Sequence, residues 1–219
     1  MSDQFSVPGS NATFDLVTDV VVVGFGGAGA MSAIAAADAG AEVLVVEKMP
    51  FPGGISICAG GGIRFSRNAD ETYKYLVATN AGRTPDEVLR SFAQNMVGLD
   101  AFLMDLGKAV GATVSTQERA GNYAFEGYEH IPTVSIERIE NFDPAKEYPH
   151  VRGRQGVNLF KMLHEHVKAR DIDLRLGHAA KRLLRNAAGE IVGIAVERLD
   201  GTSLNVGIRR GVVLAKHVE

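Results

Sequence analysis

Val20-Val21-Val22-Val23-Gly24-Phe25-Gly26-Gly27-Ala28-Gly29 is the stretch that decides how this 219-residue chain is read. Four consecutive β-branched residues bounded by glycine predict a buried parallel strand. The residues that follow, Ala28 to Ala39, are mostly alanine with Met31 and Ile34, a strong helix-forming set. The G-x-G-x-x-G pattern therefore sits on a strand-to-helix turn. Such a turn presents backbone N–H groups at the positive end of a helix dipole, where a diphosphate binds. Gly24 permits the turn, Gly26 allows close approach to phosphate, and Gly29 lets helix and strand pack.

Gly40 ends the helix, and Glu42 to Glu47 reads as a second strand. Glu47 falls at the end of that strand, about 20 residues past the glycines, where a dinucleotide-binding unit places an acid on the ribose hydroxyls. A carboxylate there repels a 2′-phosphate, which disfavours an NADP-type ligand. The competing reading is a βαβ unit whose glycines serve only backbone geometry.

The rest of the composition excludes several classes. Apolar residues make up 46% and charged residues 22% of the chain, as in ordinary globular proteins. A net charge of −3 with no basic run gives no reason to expect nucleic acid. The single cysteine, Cys58, excludes an internal disulfide and suits a reducing, cytoplasmic compartment. No apolar run reaches the length of a membrane span. Residues 1–18 read as a loose arm without a secretory signal, and its Asn11-Ala12-Thr13 sequon reads as chance.

Along the chain, residues 49–66 read as a glycine-rich loop and helix is expected from Asp70. Thr84-Pro85-Asp86-Glu87 predicts a capping box opening a helix. That helix would run through Leu89, Phe92, Met96, Leu99, Phe102, Leu103 and Leu106 and end at Gly107, its apolar stripe facing a core. Residues 108–154 read as an irregular loop or an insertion with short strands. A helix is expected over Gly156 to Arg170 and a short strand at Leu174 to Leu176. Ala180–Arg185, Ile191–Arg198 and Ser203–Arg209 read as a three-stranded β-meander. Its Asp200-Gly201 hairpin signal is strong. Gly211 to Ala215 reads as a further buried strand.

Pro52-Gly53-Gly54-Ile55-Ser56-Ile57-Cys58-Ala59-Gly60-Gly61-Gly62 is a second segment dense in glycine. Glycine at that density costs conformational entropy, so a backbone requirement is expected, here a second close approach to an extended ligand. Ile55, Ile57 and Cys58 argue against a flexible linker.

With this loop added, the chain resembles the FAD-binding flavoproteins of the fumarate reductase, succinate dehydrogenase and 3-ketosteroid dehydrogenase superfamily. Four segments carry the resemblance: Val20–Glu47 with Lys48, the Pro52–Ile63 loop, Arg152–Leu163, and the Ala180–Ala215 meander ending in Gly-Val-Val-Leu-Ala. It implies an α/β fold, with a Rossmann-like FAD-binding domain over residues 19–219 made of a parallel sheet, flanking helices and the meander. It implies FAD as cofactor. Gly24, Gly26, Gly27, Ala28 and Gly29 would then meet the pyrophosphate, and Glu47 the adenosine ribose with Lys48 beside it. Gly53, Gly54, Ile55 and Ser56 would follow the pyrophosphate and ribityl chain, and Gly60, Gly61 and Gly62 would lie near the flavin ring. Ala180 matches the position whose backbone pairs with adenine, and Ala215 the last residue before the next phosphate-side turn.

Two departures matter. Where succinate dehydrogenases carry the flavin-linking histidine, this chain has Ile55, so non-covalent FAD is expected. After Ala215 the chain reads Lys216-His217-Val218-Glu219, where the resemblance calls for a further turn and a capping domain, so the expectation is a chain without that domain. The expectation is an N-terminal portion: a fragment, a truncated frame, or one subunit completed by a partner chain or a homodimer. The activity implied is oxidoreduction of small molecules at a C–C bond next to a carbonyl or carboxylate, of the enoate-reducing or ketosteroid-dehydrogenating kind. The alternatives are an FAD-binding module without catalysis and, further off, an NAD-binding Rossmann domain. Tyr123, Tyr128, His130, Arg152 and Arg154 are acid–base or anion-holding candidates, but packing is favoured for the tyrosines, surface pairing is open to the arginines, and no catalytic residue is assigned. His164 and His166, two apart on one helix, point to different faces and do not form a metal pair. Cys58 reads as a small buried residue.

Overall fold

The structure is a computed structural model that describes residues 13–118, 123–151 and 155–216. In chain order its elements are β1 (Leu16–Val23), α1 (Gly27–Asp38), β2 (Val43–Glu47), a 3-10 turn (Gly54–Cys58), β3 (Ile63–Arg64), α2 (Ala69–Asn80), α3 (Asp86–Asn95), α4 (Leu99–Ala109) and β4 (Ala112–Gln117). There follow a second 3-10 turn (Tyr128–His130), β5 (Thr133–Ile139), α5 (Pro144–Glu147), α6 (Gly156–Lys168), β6 (Ile172–Leu176), β7 (His178–Arg185), β8 (Ile191–Arg198) and β9 (Ser203–Leu214). The chain divides into two compact units, one of residues 1–56 with 163–219 and the other of residues 57–162.

The first unit is built on a six-stranded sheet of order β6-β2-β1-β9-β8-β7. β6, β2, β1 and β9 run parallel, and β9, β8 and β7 form the antiparallel meander. The valine run supplies the centre. Val21 and Val23 join Leu44, Val46, Ile194, Val196, Leu204, Val206 and Ile208 in one buried cluster. Ala30, Ala33 and Ile34 give α1 its buried face, where small side chains suit close helix–sheet packing. All five residues of β2 are buried, as expected of a strand in a parallel sheet covered on both faces.

β9 differs from expectation in one respect. In place of the two strands expected over Ser203–Arg209 and Gly211–Ala215, a single strand spans Ser203–Leu214. Ser203 to Gly207 pair with β8 on one side and Val206 to Leu214 with β1 on the other, so one strand joins the meander to the parallel sheet. Leu16, Val17 and Thr18, inside the arm expected over residues 1–18, form the start of β1 because Leu16 to Thr18 pair with Val206 to Ile208. The sequon at Asn11 lies outside the described residues, as does the tail from His217.

The second unit holds a three-stranded antiparallel sheet of order β3-β5-β4 together with α2 to α5. The stretch 108–154, expected as an irregular loop or an insertion with short strands, contains β4, β5 and α5, in keeping with the second alternative. Asn68 caps α2, its Oδ1 accepting from the N–H groups of Asp70 and Glu71. The Tyr73 hydroxyl donates to Asp86, and the Arg90 guanidinium lies 3.9 Å from the Tyr73 ring centre, which ties α2 to α3.

The single long helix expected from Pro85 to Leu106 is two helices. Gly98, at φ 79°, adopts the left-handed conformation between α3 and α4 and turns the chain. The turn rotates the apolar stripe. Leu89, Met96 and Leu103 are buried, while Phe92 and Phe102 are 57% and 45% exposed. Pro85 is the N-cap rather than the first helical residue, and no side-chain capping bond forms. Glu87 is then one position too early to close a capping box. Gly107 lies inside α4, where an added Cβ would meet Val114 Cγ2 at 2.6 Å.

Candidate cofactor site

The first unit carries a cavity of about 680 Å³, within the range of cofactor sites. It opens where the parallel strands end, the usual place for ligands in such sheets. One wall is the β1–α1 turn, Val23 to Ala28. A second is the end of β2 with Glu47, Lys48 and Met49, and a third is Gly54, Ile55 and Ser56. His178, Ala179 and Ala180 at the start of β7 and Leu214, Ala215 and Lys216 after β9 complete it.

The glycines of the first turn are demanded by backbone contact. Gly24 has φ 99°, and a Cβ there would lie 2.7 Å from the Ala215 carbonyl oxygen. At Gly29 a Cβ would lie 1.9 Å from the Gly24 carbonyl oxygen, inside any tolerable contact. Gly26 and Gly27 are different. An added Cβ would meet Ser56 Oγ at 3.4 and 3.1 Å and would fill the cradle between the two glycine segments. Gly26 is the N-cap of α1, and the first turn of the helix carries no acidic side chain to oppose an anion.

The two glycine segments are stitched together by hydrogen bonds. The Gly53 N–H donates to the Phe25 carbonyl at 2.9 Å and the Gly27 N–H to Ser56 Oγ at 2.8 Å. Phe25 is fully buried, with the His164 ring edge-on to it at 5.3 Å. Its N–H donates to Glu47 Oε2 at 2.7 Å, and the Met49 N–H donates to Glu47 Oε1 at 2.8 Å. Glu47 is only 7% exposed. Each carboxylate oxygen therefore holds one N–H in a fixed position, with a second lone pair available to a ligand hydroxyl.

Of the residues singled out in the sequence, Gly24, Gly26, Gly27, Ala28, Glu47, Lys48, Gly54, Ile55, Ser56, Ala180 and Ala215 line this one cavity. Gly29 and Gly53 support its walls through the contacts just described. Ile55 is 78% exposed at its rim. Gly60, Gly61 and Gly62 belong to the second unit. There Gly61, at φ 77°, abuts the Gln155–Gly156 backbone, and Gly62 lies against Thr133. His178, Ala179, Met49, Leu214 and Lys216 also line the cavity, and no motif in the sequence marks them as a group. His178, two positions before Ala180, was the one recoverable signal.

Among the residues weighed for reactivity, Tyr123 and Tyr128 are 76% and 39% exposed rather than packed in a core. His130 ends a 3-10 turn in the second unit, and its carbonyl accepts from the Arg67 N–H. Arg152 and Arg154 lie outside the described residues. His166 is buried, its Nδ1 and carbonyl facing the Arg170 guanidinium. Cys58, expected to be buried, is an exposed thiol at the end of its 3-10 turn.

The residues fit a dinucleotide on chemical grounds: a cradle closed by any Cβ, an acid-free helix N-terminus, and a rigidly held carboxylate with spare acceptor sites. Comparison with known proteins agrees. The chain is 29% identical over 197 residues to the 3-oxo-5-alpha-steroid 4-dehydrogenase of Comamonas testosteroni, covering 82% of this chain and 37% of that protein. It is 28% identical over 206 residues to a fumarate reductase (cytochrome) of Shewanella frigidimarina, covering 86% and 31%. Thus it spans about a third of the length of these curated relatives. Among solved structures, the 3-ketosteroid-delta4-(5alpha)-dehydrogenase of Rhodococcus jostii RHA1 superposes with a TM-score of 0.73 at 22% identity, over 96% of this chain and 48% of that one, a likeness of fold. The family model for the FAD binding domain matches residues 19–217, and the chain belongs to that family and binds FAD.

Proposed function

We propose that this chain forms the FAD-holding part of an oxidoreductase acting on a C–C bond next to a carbonyl or carboxylate. The observation that carries the cofactor's placement is the Glu47 carboxylate, buried and clamped by the N–H groups of Phe25 and Met49 at the edge of the cavity. Its free lone pairs would accept from the adenosine ribose hydroxyls. The first turn of α1, with Gly26, Gly27, Ala28 and Gly29, would hold the pyrophosphate through N–H groups and the helix dipole. Ser56 would exchange its bond to the Gly27 N–H for one donated to a phosphate oxygen. Lys48 and Lys216 add positive charge at the rim. Gly53, Gly54 and Ile55 would follow the ribityl chain, with Ala180 at the adenine and Ala215 at the phosphate side.

FAD, when bound, supplies hydride transfer at its flavin ring. The chain's own contribution is binding and orientation; no acid–base residue is assigned to it. Ile55 offers no atom for a flavin linkage at the position discussed above, which favours non-covalent FAD. Relatives named for a steroid 4-dehydrogenase and for fumarate reduction support a substrate whose reacting C–C bond lies next to a carbonyl or carboxylate. A single exposed thiol, Cys58, fits a reducing compartment such as the cytoplasm. Among the described residues no helix is long and apolar enough to cross a membrane.

A second reading is an FAD-binding module without catalysis of its own, whose substrate contacts come from a partner chain or a second copy. One preparation separates them. The purified chain should take up FAD with flavin absorption bands, and acid precipitation should release the flavin to the supernatant. Anaerobic reoxidation of the reduced flavin by fumarate, acrylate or a 3-keto-4-ene steroid, or bleaching of the oxidised flavin by a saturated 3-ketosteroid, supports the enzyme. Flavin bands without reoxidation support the module. Failure to take up FAD contradicts both.

A further inference from the structure

We propose that His178 reads the adenine ring of FAD, selecting an amino group over an oxygen at the purine 6-position. The inference rests on the placement of the ADP half proposed above and assigns a specificity-determining side chain within it. His178 Nδ1 lies 2.7 Å from the Leu176 carbonyl oxygen. A carbonyl only accepts, so Nδ1 carries the proton, and in the neutral ring Nε2 is an acceptor.

The position of the ring follows from the sheet. Leu176 is the register partner of Glu47 in the β2–β6 pair. The next residue, Gly177, donates its N–H to the Met49 carbonyl at 2.9 Å. Gly177 takes φ 66°, the left-handed conformation that turns the chain from β6 into β7 and that glycine adopts without strain. The imidazole is thus anchored beside the strand end that carries Glu47, and His178 lines the same cavity.

A nucleotide runs phosphate, ribose, base. With the phosphates on α1 and the ribose on Glu47, the base arrives next at His178, Ala179 and Ala180. Adenine presents an N6 amino donor there and would complete the Nε2 acceptor. Hypoxanthine presents an oxygen, which sets one acceptor against another.

The test is a fluorescence titration of wild-type chain and His178→Ala with FAD, with its hypoxanthine analogue, and with FMN. Wild type should bind FAD at least about tenfold more tightly than FMN, which lacks the adenosine. The preference of FAD over the hypoxanthine analogue should fall about tenfold in His178→Ala, the usual scale for a polar group left facing the wrong partner. A contribution from the Ala180 backbone cancels in this comparison. A second readout needs no variant. In histidine-labelled wild type, the Nε2 nitrogen resonance of His178 should move on addition of FAD and not of FMN. A preference unchanged in His178→Ala, or an unmoved resonance, overturns the inference while leaving the FAD placement standing. A wild-type chain that binds FAD no better than FMN overturns the placement and the inference together.

Discussion

Replacing Gly29 and Gly26 with alanine, one at a time, should separate folding from cofactor binding within a single turn. At Gly29 the new Cβ would lie 1.9 Å from the Gly24 carbonyl oxygen, whereas real Cβ atoms essentially never approach below 3.0 Å. The atom in the way is backbone, so α1 must retreat from the end of β1 by roughly 1 Å against a close-packed sheet. Overpacking of this kind costs about 1–3 kcal/mol, and the upper end applies when no side chain can swing aside. Alanine recovers up to about 1 kcal/mol through helix propensity and the unfolded state. The net loss is about 2 kcal/mol, or a Tm lower by about 4–8 °C for a chain of this size. At Gly26 the backbone is extended, at φ −96° and ψ −166°, and the nearest atom to a Cβ is Ser56 Oγ at 3.4 Å. Loss of a glycine N-cap costs a few tenths of a kcal/mol or somewhat more, and reduced unfolded-state entropy offsets it. Gly26→Ala should therefore melt within about 2 °C of wild type yet bind FAD at least about tenfold more weakly, because its Cβ fills the cradle. Thermal unfolding by circular dichroism and flavin fluorescence titration read the two effects. A Gly29→Ala chain as stable as wild type, or a Gly26→Ala chain with full FAD affinity, refutes the reasoning.

Three further outcomes follow from the same geometry. Glu47→Ala leaves the Phe25 and Met49 N–H groups without their carboxylate and should cost about 2–4 kcal/mol in denaturant unfolding; Glu47→Gln, which keeps one acceptor oxygen, should cost about half as much. Gly98→Ala has open space for its Cβ but must hold φ 79°, so it should lose about 1–2 kcal/mol without merging α3 and α4, as backbone NMR shifts would report. The Asp19 carboxyl is held below its ordinary value by the Glu42 N–H, and then by Arg209 and Arg210. A lowered pKa contributes stability that is present above the unfolded value and lost as pH falls through the folded one. Asp19→Asn should consequently be less stable than wild type at neutral pH, and the gap should close in acid; a gap independent of pH contradicts the pairing.

The β1–α1–β2 unit was legible in the sequence because its signals are local: four valines, a glycine turn, an alanine helix and an acid at the strand end. Asp200-Gly201 was legible for the same reason, since Gly201 takes φ 81° and the Asp200 carboxylate caps the Thr202 N–H. What stayed hidden depends on distant partners. The period of apolar residues continues across Gly98, so only the left-handed turn there reveals two helices. The pairing of β4 with β5 joins Ala112 to Ile139 across a stretch whose composition resembles a loop. In the cavity, the walls from the two glycine segments were visible, while the wall from His178 to Ala180 exists only because β6 and β7 meet beside Met49.

A crystal structure of the chain with FAD tests the central claim most directly. The prediction is that a pyrophosphate oxygen lies within hydrogen-bond distance of the first-turn N–H groups of α1, and that Glu47 accepts from a ribose hydroxyl while still holding the N–H groups of Phe25 and Met49. FAD bound elsewhere, or a ribose that does not touch Glu47, would contradict it.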